Sequence, residues 1–186
     1  MTPDAAVVAV LQALDRAAVP YMVVGSLASN FHGVPRATRD ADVVVDLAPG
    51  AIARLAGHLP KGLMLANQAA FEAVTGTVRH LIEVEGSPFV AELFVASDDP
   101  HDRERFSRRI RVELLGMTAF VATAEDMIVT KLRWCLEAGR LKDRDDVRNI
   151  LAVQGEGLDW PYLTQWAARH GTESLLDEIR ASLPRI

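Results

Sequence analysis

The chain has 186 residues, 49% of them apolar and 24% charged, a globular composition that excludes a disordered or collagen-like chain. Twenty Lys and Arg stand against 25 Asp and Glu, a net charge of −5, so a polyanionic partner has to be met by a local basic patch. The single cysteine, Cys135, excludes a disulfide framework and any multi-cysteine zinc site. No apolar run approaches a membrane span, and Asp4, Asp15 and Arg16 near the start do not fit a signal peptide. The expectation is a cytoplasmic protein with no membrane partner.

In chain order, Thr2–Ala18 reads as an amphipathic helix, with Asp4 able to cap its first turn and Val7, Val10, Leu11 and Leu14 at helical spacing. Tyr21–Val24 is a short apolar strand ended by Gly25-Ser26, followed by a short helix over Leu27–His32. Asp40–Leu47 is the next strand, with the β-branched block Val43-Val44-Val45, and Ala51–His58 a small helix. Leu81–Glu85, Phe89–Ala96, Ile110–Leu115 and Thr118–Ala122 read as strands. The last third is helical: a helix capped by Thr123 and ended by Gly139, then Asp143–Val153, Trp160–His170 and Thr172–Leu183. This order predicts an α/β (α+β) fold, a mixed sheet of about five or six strands flanked by helices. It divides into an α/β domain over 1–122 and a C-terminal helical region over 123–186.

The chemistry concentrates in Tyr21–Asp46. A buried strand runs into Gly25-Ser26 where a helix begins, so glycine permits close approach and Ser26 with the first helical amides can face a phosphate. Taken alone, such a pair is ordinary turn-and-cap chemistry. Asp40 and Asp42 then alternate along a strand and share a face, where two anions repel unless a cation such as Mg²⁺ or Mn²⁺ lies between them. Asp-x-Asp alone is far more often a strand end with solvated acids.

Together these parts are more specific. Gly25-Ser26, then Arg36-Ala37-Thr38-Arg39-Asp40-Ala41-Asp42, then the later acidic strand Val90-Ala91-Glu92-Leu93-Phe94 resemble the nucleotidyltransferase superfamily. The tail adds Ala124-Glu125-Asp126-Met127-Ile128-Val129-Thr130-Lys131-Leu132-Arg133-Trp134 and Lys142-Asp143-Arg144-Asp145-Asp146-Val147, which resemble the C-terminal motif of AbiEii-type (abortive-infection) nucleotidyltransferase-like proteins.

The resemblance implies a nucleotidyltransferase-type sheet and transfer of a nucleoside monophosphate from an NTP, with pyrophosphate released. It implies that Gly25 and Ser26 hold the nucleotide phosphates, that Asp40 and Asp42 bind divalent ions, and that Glu92 is the third carboxylate, where Asp is the commoner residue. Lys131 would contact the phosphates, and Asp146 is an acid of the same helical motif. The implied acceptor is a hydroxyl of RNA (tRNA) or of a protein, in a toxin–antitoxin or phage-defence setting with a possible cognate antitoxin. Glu83 or Glu85, on the preceding strand, becomes the third acid if the register differs. A weakened nucleotide-binding regulator and a small-molecule (antibiotic) nucleotidyltransferase are the alternative functions.

Elsewhere the chain reads more blandly. Its histidines lack metal-ligand spacing, and Cys135 lies on the buried stripe of its helix. Trp134 and Trp166 read as packing between tail helices, with base stacking open to Trp134. Arg103, Arg105, Arg108, Arg109 and Arg111 form the strongest basic run. It reads as a solvated loop and strand edge, or as a grip on an RNA backbone.

Overall fold

The computed structural model of the chain describes residues 1–72 and 76–183. The first helix, α1 (Pro3–Arg16), begins at Thr2, whose hydroxyl accepts the Ala5 amide. Thr2 is therefore the cap, not Asp4: a cap must stand outside the first turn, and Asp4 lies within it. Next come β1 (Tyr21–Val23), α2 (Gly25–His32), β2 (Asp40–Val45) and α3 (Ala51–His58). The middle of the chain holds β3 (Leu63–Leu65), β4 (Ala70–Glu72), β5 (Thr77–Val84), β6 (Val90–Val95), α4 (Pro100–Arg108), β7 (Ile110–Leu114) and β8 (Met117–Val121). Four helices follow: α5 (Ala124–Ala138), α6 (Leu141–Gln154), α7 (Trp160–His170) and α8 (Glu173–Ala181).

Among the described residues the strands form one eight-stranded mixed sheet in the order β3-β5-β6-β2-β1-β8-β7, with β4 also paired to β5. β2 and β6 are parallel neighbours, as are β1 and β8, and the remaining pairs are antiparallel. The sheet is larger than the sequence predicts. β3 and β4 are three residues each, too short to carry a readable alternation, and they exist only because β5 offers both of them an edge.

Pairing of β2 fixes the site. Ala41, Val43 and Val45 are fully buried on one face, which leaves Asp40 and Asp42 on the other. That buried face joins a single apolar core with Val7, Val10, Leu11 and Leu14 of α1, Leu55 of α3, and Ile128 and Leu132 of α5. α5 and α6 pack on each other and both pack on α2. The contact is tight: a Cβ at Gly33 would lie 3.0 Å from the Ile150 amide nitrogen. His32 Nε2 bonds the Ala122 carbonyl at 2.7 Å, and Gln154 Nε2 donates to the His32 carbonyl at 2.7 Å. The end of α2 is thus clamped between the sheet and the tail helices.

The basic run is mostly neither loop nor free. Arg103, Arg105 and Arg108 lie on α4, capped by Asp99, whose carboxylate accepts the amides of His101 and Asp102. Arg105 is buried and paired with Asp102 at 2.7 Å, and Arg103 pairs with Asp98 at 2.7 Å. Arg108 covers the Tyr162 ring at 3.9 Å, while Arg109 lies over Phe106 and Phe120. A helix this polar carries almost no apolar periodicity, which hides it from a hydrophobic-pattern reading. Its arginines meet acids and aromatic faces. No helix among the described residues is long and apolar enough to cross a membrane.

Candidate active site

The turn from β1 into α2 sets the floor of a cleft of about 310 Å³, a size that suits a small ligand. Gly25 takes φ +59°, and a Cβ there would stand 1.8 Å from Asp42 Oδ2. Glycine is therefore demanded twice, by the backbone angle and by the carboxylate pressed against it. The Val24 amide donates to the Asp42 carbonyl at 2.9 Å, locking the turn to β2. No side chain caps α2. Gly25 and Ser26 line the cleft at that helix start, where amide donors and the helix dipole favour an anion.

The acids come from two adjacent strands. Asp42 is opposite Glu92 in the parallel β2–β6 register, and Asp40 is opposite Val90. Glu83 shares the face of Asp40 through Val90 but stands one strand further out, on β5 and outside the cleft lining; Glu85 lies beyond that strand, and Glu92 lines the cleft beside Asp40 and Asp42. Burial, then the charges of Asp40 and Glu92, push the Asp42 carboxyl up to about 6. The Thr38 hydroxyl donates to Asp40 Oδ1 at 2.8 Å. Glu92 is turned to the side, where Arg79 Nη1 donates to its Oε2 at 2.8 Å.

Hard carboxylate oxygens with an uncompensated charge fit a divalent cation at Asp40 and Asp42, and a cation there would relieve the repulsion that raises Asp42. Among the described residues no three acidic or histidine side chains are yet gathered around one point. The Glu92 carboxylate is engaged by Arg79.

The opposite wall comes from the tail helices. Lys131 of α5 is buried and held by Asp143 Oδ1 at 2.9 Å and Asp146 Oδ2 at 2.7 Å, both on α6. Asp146 also accepts a two-pronged bond from Arg36, Nε to Oδ1 at 2.7 Å and Nη2 to Oδ2 at 2.9 Å. Burial alone would raise the Asp146 carboxyl, but the hydrogen bond from Arg36 and the Lys131 charge hold it below the usual range. Arg36 Nη2 reaches Ser26 Oγ as well, at 3.0 Å. Arg140 pairs with Asp143 Oδ2 at 3.0 Å and covers Trp134 at 4.5 Å. A continuous chain of charge-assisted bonds therefore links the β1–α2 turn to α5 and α6.

No protein-family model and no curated protein matches the chain. Solved structures do. The antibiotic-resistance factor ANT(2″)-Ia is similar over 97% of this chain and 97% of its own, at 13% identity and a TM-score of 0.63. JHP933 from Helicobacter pylori is similar over 95% and 82%, at 18% identity and a TM-score of 0.54. So is an antigenic nucleotidyltransferase-like protein from Paracoccidioides brasiliensis, over 97% and 92%, at 17% identity and a TM-score of 0.54. The fold is that of the nucleotidyltransferases.

On this nucleotidyltransferase fold, Gly25, Ser26, Asp40, Asp42, Glu92 and Lys131 all line the one cleft. Asp146 stands behind Lys131 rather than in the lining. Arg36, Arg79 and Arg140 are site residues the sequence reading does not single out. Arg36 sits inside the quoted Arg-x-Thr-Arg-Asp-x-Asp segment, so its motif was visible while its partner, 110 residues away, was not. Asp143, within the quoted tail motif, lies in the first turn of α6 and grips Lys131. Trp134 lines the cleft, Cys135 is half-buried rather than core, and Trp166 is buried with its ring 4.8 Å from that of His101 on α4, rather than between tail helices.

Proposed function

We propose that the chain transfers a nucleoside monophosphate from an NTP to a hydroxyl of an RNA, a tRNA end above all, or of a protein. The observation that carries this is the cleft itself, with three carboxylates on one sheet face, a glycine–serine helix start beside them and a buried lysine opposite. The resemblance of the α5–α6 motif to AbiEii-type proteins supports a toxin–antitoxin or phage-defence setting, with a cognate antitoxin as partner.

The roles follow from position. The helix start at Gly25 and Ser26 takes the triphosphate, and Lys131, fixed by Asp143 and Asp146, offsets negative charge as the leaving group forms. Arg36 holds the turn and Asp146 in one frame. Asp40 and Asp42 would hold Mg²⁺ or Mn²⁺, with Glu92 completing the set; bound there, the metal supplies charge neutralisation at the phosphates and activation of the acceptor hydroxyl. The acceptor oxygen bonds to the α phosphorus as the bond to the bridging oxygen breaks. Pyrophosphate leaves with that electron pair, and the hydroxyl proton passes toward Glu92.

A second acceptor class has its own support. ANT(2″)-Ia has been solved in complex with adenylyl-2″-tobramycin, so an antibiotic hydroxyl is the alternative acceptor. One experiment separates the readings. NTPs labelled at the α phosphate are incubated with Mg²⁺ or Mn²⁺ and total RNA, total protein or tobramycin, with Asp42→Asn as control. Label in RNA or protein with wild type only is the expected result, and RNase or protease sensitivity assigns the class. Label on tobramycin alone would move the assignment to the antibiotic. Label that persists in Asp42→Asn would defeat the site assignment, and nucleotide binding without any label would leave a regulator.

A further inference from the structure

One ion pair at the rim bears on the choice of acceptor. β5 runs antiparallel to β6 with Leu81 opposite Glu92 and Arg79 opposite Phe94, so Arg79 and Glu92 project from one sheet face as diagonal neighbours. The Arg79 guanidinium also lies 5.9 Å from the centre of the Phe94 ring, on the same wall of the cleft. Both charged side chains still meet water, at 27% and 18% exposure. A solvent-reachable guanidinium therefore stands directly beside the acid assigned to the acceptor hydroxyl.

The rest of the lining has little to offer a cationic acceptor. Asp102 is taken by Arg105, and Asp143 by Lys131 and Arg140. Among the described residues, the acids lining the cleft outside the metal-facing three are thus already neutralised. Those two acids are held in pairs at 13% and 3% exposure, which a polyamine would have to break open, whereas an anion can reach the more exposed Arg79–Glu92 pair and compete with Glu92.

We propose, on the nucleotidyltransferase reading, that Arg79 recognises the acceptor and that the acceptor is RNA. The guanidinium takes the phosphate one nucleotide back from the terminal hydroxyl and in doing so releases Glu92. A terminal ribose hydroxyl in RNA has a phosphodiester at that position; a serine or tyrosine hydroxyl in a protein does not. The fork of the guanidinium matches two phosphate oxygens, which makes phosphate a competent competitor for one carboxylate oxygen. Released, Glu92 turns toward its register partner Asp42 and completes the acidic set only when acceptor is present. Water carries no phosphate, so it does not release Glu92, and the NTP is kept from wasteful hydrolysis.

The test uses the full chain without nucleotide. Binding of a short fluorescent single-stranded RNA with a free 3′ hydroxyl is followed by anisotropy across a salt series, and Mn²⁺ binding is followed separately by electron paramagnetic resonance. Arg79→Gln is expected to weaken RNA by about tenfold, the loss of one charge-assisted contact. It should also flatten the dependence of log affinity on log salt by about 0.7. Arg79→Lys should retain the slope, and Arg79→Gln should bind Mn²⁺ more tightly than wild type because Glu92 is no longer held aside. RNA affinity and salt slope unchanged in a folded Arg79→Gln would overturn the proposal. So would wild-type protein that binds tobramycin but not RNA, or that labels only protein. Failure of wild type to bind any NTP with Mg²⁺ would instead overturn the transferase reading, and the nucleotide-free RNA result would still be read on its own.

Discussion

Gly25 shows how much one residue can carry. Its φ of +59° lies where side chains with a Cβ are strained, and the Asp42 carboxylate occupies the space a methyl would need. Gly25→Ala therefore has to move β2 or the turn. The expected cost is at least about 2 kcal/mol of stability, read from urea unfolding, together with loss of label transfer. A variant that keeps its unfolding midpoint would show that Asp42 can rotate away without consequence. The glycine was visible in the sequence as a turn signal. What it stands against was not, because Asp42 arrives from another strand.

At the scale of elements, the decisive contact is the docking of α5 against α7. Asp126 sits buried at the start of α5, where Tyr162 of α7 donates to Oδ1 at 2.5 Å and the Thr123 hydroxyl to Oδ2 at 2.7 Å. Burial would raise its carboxyl, but the His101 imidazole 3.4 Å away and the hydrogen bonds from Tyr162 and Thr123 hold it below its ordinary value. Because the folded value is the lower one, ionised Asp126 favours the fold above the unfolded carboxylate range, and that contribution is lost as pH falls through the folded value. Tyr162→Phe removes one donor and should cost about 1.5 kcal/mol near neutral pH. The difference from wild type should shrink in acid, where Asp126 is protonated. A midpoint difference that is flat from neutral to acid pH would mean that ring packing, not the hydrogen bond, carries the effect.

For the whole molecule, the site is a standing cost to the fold. Asp42 is pushed up to about 6 by burial and by Asp40 and Glu92. For an acid raised in the folded state the sign reverses: the folded form keeps its proton after the unfolded one has lost it, so stability falls as pH rises from about 4 to about 6 and stays low above. Without divalent metal, wild type should have a lower urea midpoint at about pH 8 than at about pH 5, and Asp42→Asn should lose that dependence. Mn²⁺ should restore the wild-type midpoint at the higher pH and leave Asp42→Asn nearly unmoved. An equal response of both proteins to Mn²⁺ would place the cation elsewhere.

Much of this was legible from local pattern. α3 and α7 keep the bounds their periodicity predicts, and Thr123 and Gly139 begin and end α5 as cap chemistry requires. Gly25, Ser26, Asp40 and Asp42 belong to one short segment whose strand–turn–helix character is set by neighbours in sequence, so each was readable as a candidate before the pairing of β1 with β2 brought them together. Tertiary structure decided the rest, because it pairs groups that the chain separates. The register of β2 against β6 sets Glu92 opposite Asp42, and the strand order leaves Glu83 one strand further out, on β5. The packing of α6 on α2 and α5 delivers Asp146 to Arg36 and Lys131. The run of arginines becomes a capped helix bound to acids and rings, and the reach of one glutamate side chain to Arg79 sets the third acid aside. A charge in a sequence has no partner until the fold supplies a distance, and at this site those distances determine what each charge can do.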